Sequence, residues 1–262
     1  MSATTRKPVK FGKPPVVEVS CGVTFRLEKP LKSGHAGLYW SRVRHEFPRC
    51  EDAAPITALF ETSDGAPNVQ YEILDMPELR RTWLLNSVGT HLLQLQEDRF
   101  IFNWKRNSLD EHYPSYDTVI ADFWKQWHQY RDFLAEQGLG APVAVQLELT
   151  YHNVLLGHSH FLRDHRREAP DSRFLPVSEA LNYRDQFLLP DNCGRLHVNA
   201  LSARQVQTGE KALRLDLTAR GLPKEASEEG CKGWFDLAHE WITHGFADLT
   251  TSEAHELWGR TA

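Results

Sequence analysis

The sequence lacks most of the short patterns that identify an enzyme or a metal protein. Its four cysteines are scattered without a CxxC pair, which argues against a zinc ribbon or a redox dithiol. It has no GxSxG elbow and no glycine-rich phosphate loop. It also lacks the run of about 20 apolar residues that a membrane span needs, and its N-terminus lacks the apolar core of a secretory signal. We therefore expect reduced, mostly structural thiols and a cytoplasmic protein without a membrane association.

The overall charge is weakly acidic, and the composition is that of an ordinary folded domain. The net charge of -5 gives no general attraction to nucleic acid, although basic residues are interleaved with aromatics in FNWKRNS, residues 102–108. Hydrophobic residues make up 41% and charged residues 25% of the 262 positions. We expect one globular unit that does not bind nucleic acid.

Hydrophobic periodicity predicts strands and helices in an order that occurs twice. Two stretches alternate with period two, and their odd positions are apolar: Val17, Val19, Cys21, Val23, Phe25 and Leu27 in the first, and Val143, Val145, Leu147, Leu149 and Tyr151 in the second. Further strands are predicted at 56–61, 69–73, 81–87, 91–96 and 99–105, and around Leu196–Ala200 and Leu213–Leu217. Helices are predicted at 35–47, from Tyr116 to about 137, and at about 233–248.

The repeated order strand, insert, strands and long helix suggests a weak internal duplication. We interpret residues 1–13 as a flexible basic arm, 14–138 as a first α+β half and 140–262 as a second α+β half of the same globular unit. The predicted fold class is α+β, with a curved antiparallel sheet and both long helices on one face. Saddle-like and helix-grip-like arrangements both fit this pattern.

The stretch FDLAHEWITHGF, residues 235–246, resembles a zinc-peptidase motif but has the wrong spacing. Such a motif places two histidines four positions apart on a helix, whereas His239 and His244 are five apart. They would point about 140° apart on a regular helix, so one metal cannot bind both. We expect His239 at the border of an apolar face, with a hydrogen bond that fixes the position of the helix. The residues that should form that face are Trp234, Phe235, Ala238, Trp241, Ile242 and Phe246.

A histidine-rich stretch, LGHSHFLRDHRRE, holds the candidate metal ligands His158, His160 and Asp164. The two histidines on one side of an extended chain could bind a metal, with Asp164 or His165 as a third ligand. The alternative is a solvated surface loop, because no distant ligand pair supports a metal site.

Five aromatic residues are candidates for lining a ligand pocket between the sheet and the long helices. They are Phe102, Trp104, Trp127, Tyr130 and Trp241. The alternative is that these rings pack against one another in the core.

Three stretches carry a resemblance to a known family: KPPVVEVSCGVTF, the LLQLQEDRFIFNWKR hairpin with YPSYDTVIADFWKQW, and FDLAHEWITHGFADLTTSEAHELWG. Together they resemble a sporadically distributed, uncharacterised bacterial family of about this chain's length, over nearly the whole chain. The family's A-H-x-W-I pattern maps onto Ala238, His239, Trp241 and Ile242, and so implies that His239 belongs to a shared structural helix. The family has no agreed activity and supplies no catalytic residue or cofactor.

These observations lead to three hypotheses of function. The first is a non-enzymatic cytoplasmic protein that binds a protein partner or a second copy of itself; the resemblance implies a patchy distribution, which suits an accessory of a defence or toxin-neutralising system. The second is a small-molecule pocket between sheet and helices. The third is a metal-dependent hydrolase that uses the His158 and His160 segment.

Overall fold

A single antiparallel sheet forms the centre of the molecule. The structure is a computed structural model, and it describes residues 8–57, 59–61, 80–108, 111–156, 180–205, 208–225 and 227–261. In these residues the sheet has nine strands and is accompanied by four α-helices, so the fold is α+β. The elements in chain order are β1 (Val16–Arg26), α1 (Ser33–Val43), β2 (Arg49–Ala53), β3 (Arg81–Leu85), β4 (His91–Gln96), β5 (Arg99–Lys105), α2 (Tyr116–Glu136), β6 (Val143–Leu156), β7 (Asn182–Leu188), β8 (Gly194–Arg204), β9 (Lys211–Gly221), α3 (Glu228–Leu249) and α4 (Ser252–Leu257). The strand order is β2-β3-β4-β5-β1-β6-β9-β8-β7.

The two strands with the clearest alternation, β1 and β6, pair with each other at the middle of the sheet. Val19 lies opposite Tyr151, and Val23 lies opposite Leu147. Each of these side chains is buried, because strand partners point to the same face and this face carries the helices. The prediction of one buried face is confirmed for these strands.

The predicted alternation of buried and exposed residues fails at one end of each central strand, where a register shift interrupts the pairing. The shift between Val16 and Glu18 places Val16 in the core and leaves Val17 half-buried. A second shift lies between the Thr24–Gln146 and Phe25–Ala144 pairs, and beyond it Val143 is 61% exposed. An extra residue in one strand reverses which side chains face the core, so strict alternation fails beyond it.

The long helices α2 and α3 lie on the same face of the sheet. Phe123 of α2 contacts Phe100, whose strand partner is Val23, and His239 of α3 contacts Tyr151, whose partner is Val19. Side chains two or four positions apart on one strand share a face, so the two helices do as well. The opposite face is polar, with hydrogen bonds such as the one from Asn103 Nδ2 to Glu18 Oε1 at 2.6 Å.

The predicted helices are confirmed with small changes of boundary, and most of the predicted strands are present. Residues 56–61 form no regular strand in their described part, and the predicted strand at 69–73 lies outside the described residues. The strands β2 and β7 were not predicted, and both lie at the edges of the sheet. Most residues of both are exposed, so no buried face imposes an alternating pattern on their sequences.

The described part of the predicted arm is attached to the other end of the chain. Phe11 forms a β-bridge with Arg260, and the Gly12 amide donates a hydrogen bond to the Gly259 carbonyl at 3.0 Å. This contact brings residues 8–13 alongside α3 and α4. Within the described residues, no helix combines the length and the apolar character that crossing a membrane requires.

Candidate functional site

A cavity of about 770 Å³ opens between α3, residues 113–117 at the start of α2, and the N-terminal segment. We call it the Tyr–His cavity. Its walls are residues 8–12, 14 and 16, residues 113–117, Tyr151, Asn153 and Leu217 from the sheet, and residues 236, 239, 240, 242–244 and 246 of α3. Polar side chains from three separate parts of the chain therefore converge on one space.

One wall is a stacked pair of rings, Tyr116 and His239. The rings are almost parallel, with an interplanar angle of 2°, and their centroids are 3.9 Å apart. The Tyr116 hydroxyl donates a hydrogen bond to Asp236 Oδ1 at 2.9 Å. This bond joins the start of α2 to α3 and fixes the position of the phenol ring. Asp236 and His239 are three positions apart on α3 and therefore lie on neighbouring parts of its surface.

A pair of tyrosines, Tyr113 and Tyr151, forms the floor of the cavity. The hydroxyl oxygens of Tyr113 and Tyr151 are 2.8 Å apart, within hydrogen-bonding distance. In such a pair one hydroxyl donates to the other, which leaves a second hydroxyl hydrogen available to another partner. Asn153 follows Tyr151 by two positions on β6, so both side chains point into the same space.

Burial keeps the aromatic groups of the cavity uncharged. It lowers the pKa of His239 from 6.5 to about 4, although the nearby Asp117 carboxylate acts in the opposite direction. Burial also raises the pKa of Tyr113, Tyr116 and Tyr151 above the ordinary value of 10. At neutral pH the cavity therefore offers a neutral imidazole and protonated phenols, which can donate and accept hydrogen bonds.

Ser115, in the cavity wall, has a strained backbone. Its φ of 144° lies in a region that side chains rarely adopt, and its hydroxyl caps α2 by accepting a hydrogen bond from the Thr118 amide at 3.2 Å. Strain of this kind is concentrated at binding and active sites. Ser115 lies between Tyr113 and Tyr116, the two aromatic residues of this segment.

The N-terminal segment closes one side of the cavity through aromatic contacts. The Phe11 ring packs edge-on against Phe246 of α3, with centroids 5.4 Å apart, and against Trp258 at 6.3 Å. Behind these rings lies a buried chain of hydrogen bonds. His255 Nε2 is 2.8 Å from Thr250 Oγ1, which donates to the Phe246 carbonyl at 2.6 Å.

The residues of the zinc-like motif all reach this cavity. His239, Glu240 and His244 are among its lining residues, and α3 is a continuous α-helix through all of them. No group of three or more side chains able to hold a metal ion occurs in the described part of the chain. The hydrogen bond that we expected His239 to form is not present among the described residues. Its imidazole instead stacks on the Tyr116 ring. The buried Nε2 of His244 also lacks such a partner there.

The five predicted pocket aromatics lie elsewhere, and none of them lines the Tyr–His cavity. Phe102, Trp104, Trp127 and Tyr130 are buried in the core, and Trp241 is half-buried. Trp127 also lines a separate cavity of about 210 Å³. That these rings line a ligand pocket stays a prediction. The candidate metal ligands His158, His160 and Asp164 lie outside the described residues.

Sequence reasoning missed the tyrosines of the cavity because their partners are distant in the chain. Tyr116 and Asp236 are 120 positions apart, and Tyr113 and Tyr151 are 38 apart. The only local signal was Tyr151 itself, a polar-tipped ring at the end of an apolar alternation. No periodicity relates such pairs.

Comparisons with known proteins leave the resemblance described above as an expectation. No protein-family model, no curated protein and no solved structure matches this chain.

Proposed function

We propose that this chain is a non-enzymatic binding protein whose ligand, a small organic molecule, occupies the Tyr–His cavity. The observation that carries the proposal is the cavity itself, with its volume of about 770 Å³ and converging polar side chains. Small-molecule sites are typically concave spaces of about 300–1,000 Å³ with apolar walls and a few placed polar groups. The stacked Tyr116 and His239 and the paired Tyr113 and Tyr151 have this character.

The protonation states support binding rather than acid–base catalysis. A general base at neutral pH works best with a pKa near 7, whereas that of His239 is about 4. The tyrosines hold their protons more tightly than in water because burial disfavours their charged forms. Fixed, neutral hydrogen-bonding groups on aromatic walls are suited to recognising a ligand without changing it.

We also propose that the two predicted halves meet at this site. Residues 113–117 come from the first half, and Tyr151, Asn153 and α3 come from the second. A helix that covers a ligand cavity against a curved sheet is the helix-grip arrangement. A merely saddle-like sheet would need no cavity there, so ligand binding at this position favours the helix-grip interpretation.

The test compares matched tyrosine-to-phenylalanine variants in a ligand screen. Tyr151→Phe removes a hydroxyl from the cavity floor, and Tyr39→Phe removes a buried hydroxyl that has no hydrogen-bond partner among the described residues. A fragment library is screened by thermal shift, and hits are measured by calorimetry. We expect Tyr151→Phe to weaken binding about five- to tenfold, the effect of losing one hydrogen bond, and Tyr39→Phe to leave the affinity unchanged.

A second variant, Tyr113→Phe, allows the proposal to be tested even if Tyr151→Phe does not fold. Tyr113→Phe removes the other hydroxyl of the same pair and should weaken the same ligands. If no fragment binds the wild-type protein, or if every hit binds both cavity variants as tightly as it binds the wild type, the proposal fails.

A further inference from the structure

Asn153 presents an unused hydrogen-bond acceptor to the Tyr–His cavity. Its side chain is 2% exposed and forms part of the wall. Nδ2 donates to the Leu215 carbonyl at 3.0 Å and to the Tyr151 carbonyl at 3.4 Å, which fixes the amide so that Oδ1 points away from both. Oδ1 accepts no hydrogen bond from the residues that the structure describes. An amide carbonyl in the cavity wall that receives no donor from the protein can accept a hydrogen bond from a ligand that carries an N–H or O–H group.

The charges around the cavity are negative. Asp117, Asp236 and Glu240 belong to its wall and stay exposed, so they lie at its open side. None of the three forms an ion pair within the described residues. Lys10 is the single lysine or arginine among the described wall residues, and the buried imidazole of His239 is neutral at pH 7. A positively charged ligand group would therefore meet a wall with three carboxylates and one lysine, which has a net negative charge.

Aromatic faces provide the third component of the site. The Tyr116 and His239 stack offers a flat surface, and Tyr113 and Tyr151 meet edge to face beside it, with centroids 6.0 Å apart. Tyrosine faces attract cations as well as flat apolar groups. Carboxylates, an amide carbonyl acceptor and tyrosine faces together form a set that recognises a protonated amine.

We infer that the ligand of the Tyr–His cavity is an organic cation, a protonated amine attached to a flat apolar body. This inference rests on the proposed function and adds the chemical class of the ligand. In it, the amine donates to Asn153 Oδ1 or to the carboxylates at the open side, and the flat body lies along the aromatic wall.

The experiment uses two sets of ligands that differ only in the terminal group. The first is tyramine, tyrosol and 4-hydroxyphenylacetate, and the second is tryptamine, tryptophol and indole-3-acetate; each set has an amine, an alcohol and a carboxylate on the same body. Calorimetry at pH 7 and low salt should show binding of at least one amine. The corresponding alcohol should bind about tenfold more weakly, and the carboxylate should not bind. Added salt should weaken the binding of the amine, because it screens the attraction between charges.

Charge-neutralising variants then locate the binding site. Asp236→Asn keeps an acceptor for the Tyr116 hydroxyl and removes one charge, and Asp117→Asn removes another. Each should weaken amine binding about three- to tenfold, because one charge–charge interaction at the open side is lost. Asp132→Asn on α2 is the matched control, since Asp132 is exposed and is not part of the wall.

The outcomes separate this inference from the proposed function. If alcohols or carboxylates bind as tightly as the amines and still lose affinity in Tyr151→Phe, the inference is wrong and the proposed function stands. If neither amine binds, or if an amine binds equally to wild type and both aspartate variants, the inference is also overturned. The cavity is removed as a binding site only if no fragment binds the wild-type protein, or if every hit binds Tyr151→Phe and Tyr113→Phe as tightly as it binds the wild type.

Discussion

Substitution of His239 should change how the stability of the protein depends on pH. The unfolded chain takes up a proton on this histidine near pH 6.5, whereas the folded protein does so only near pH 4, because the imidazole is buried. Between these values the unfolded state binds more protons, so the free energy of unfolding falls as the pH is lowered. The contribution is fully present above pH 6.5 and is lost by about pH 4.

The size of the effect follows from the same two values. Each pH unit between them is worth about 1.4 kcal/mol, so the whole interval amounts to about 3 kcal/mol. Between pH 7 and pH 4.5 the loss should be about 2 kcal/mol. For a protein of ordinary stability this is a substantial fraction of the total.

The assay is urea unfolding, followed by tryptophan fluorescence, at several pH values between 4.5 and 7. The variant His239→Phe keeps a ring against Tyr116 but cannot take up a proton. We expect wild type to lose about 2 kcal/mol more than the variant across this range. The control His112→Phe, at an exposed position before α2, should follow the wild-type curve.

Parallel curves for wild type and His239→Phe would refute the reasoning, since they would mean that this histidine titrates alike in both states. The difference in unfolding free energy between wild type and His239→Phe at pH 7, where the histidine is neutral in both states, has a different meaning. It would measure the change in stacking on Tyr116, which is worth about 0.5–1.5 kcal/mol for an aromatic pair.

Three further predictions concern the free energy of unfolding, measured in urea at pH 7. Gly194→Ala should lower the free energy of unfolding by more than about 3 kcal/mol, because Gly194 has a φ of 144° and an added methyl would overlap the Arg220 carbonyl oxygen. Its matched control, Gly233→Ala in an open position of α3, should raise the free energy of unfolding by about 0.5–1 kcal/mol. Thr250→Val should lower it by about 1–3 kcal/mol, because the buried hydroxyl joins a backbone carbonyl to an imidazole. Ser115→Gly should raise it by about 1 kcal/mol, because glycine tolerates the backbone angle there and loses little as a helix cap. A fall in this last variant would mean that the backbone of Ser115 is not strained.

Most of the core could be predicted from local patterns. The alternation in β1 and β6 and the three- and four-residue spacing in α2 reflect burial of one face, and burial acts directly on the sequence of each element. Edge strands such as β7 are exposed on both faces, so no such pressure marks them. The shifts at Val16 and Ala144 depend on strand pairing and leave no local signal either.

The sequence by itself determined the fold class, the central strands, the long helices and the five-residue spacing of His239 and His244 on one continuous helix. All of these depend on the spacing of residues within a single element. Only the tertiary structure decided where the candidate site lies and which residues form it. Tyr116 and His239 belong to different helices and meet because each helix packs on the same face of one sheet. Contacts of this kind depend on packing between elements, and that information is not contained in the periodicity of either one.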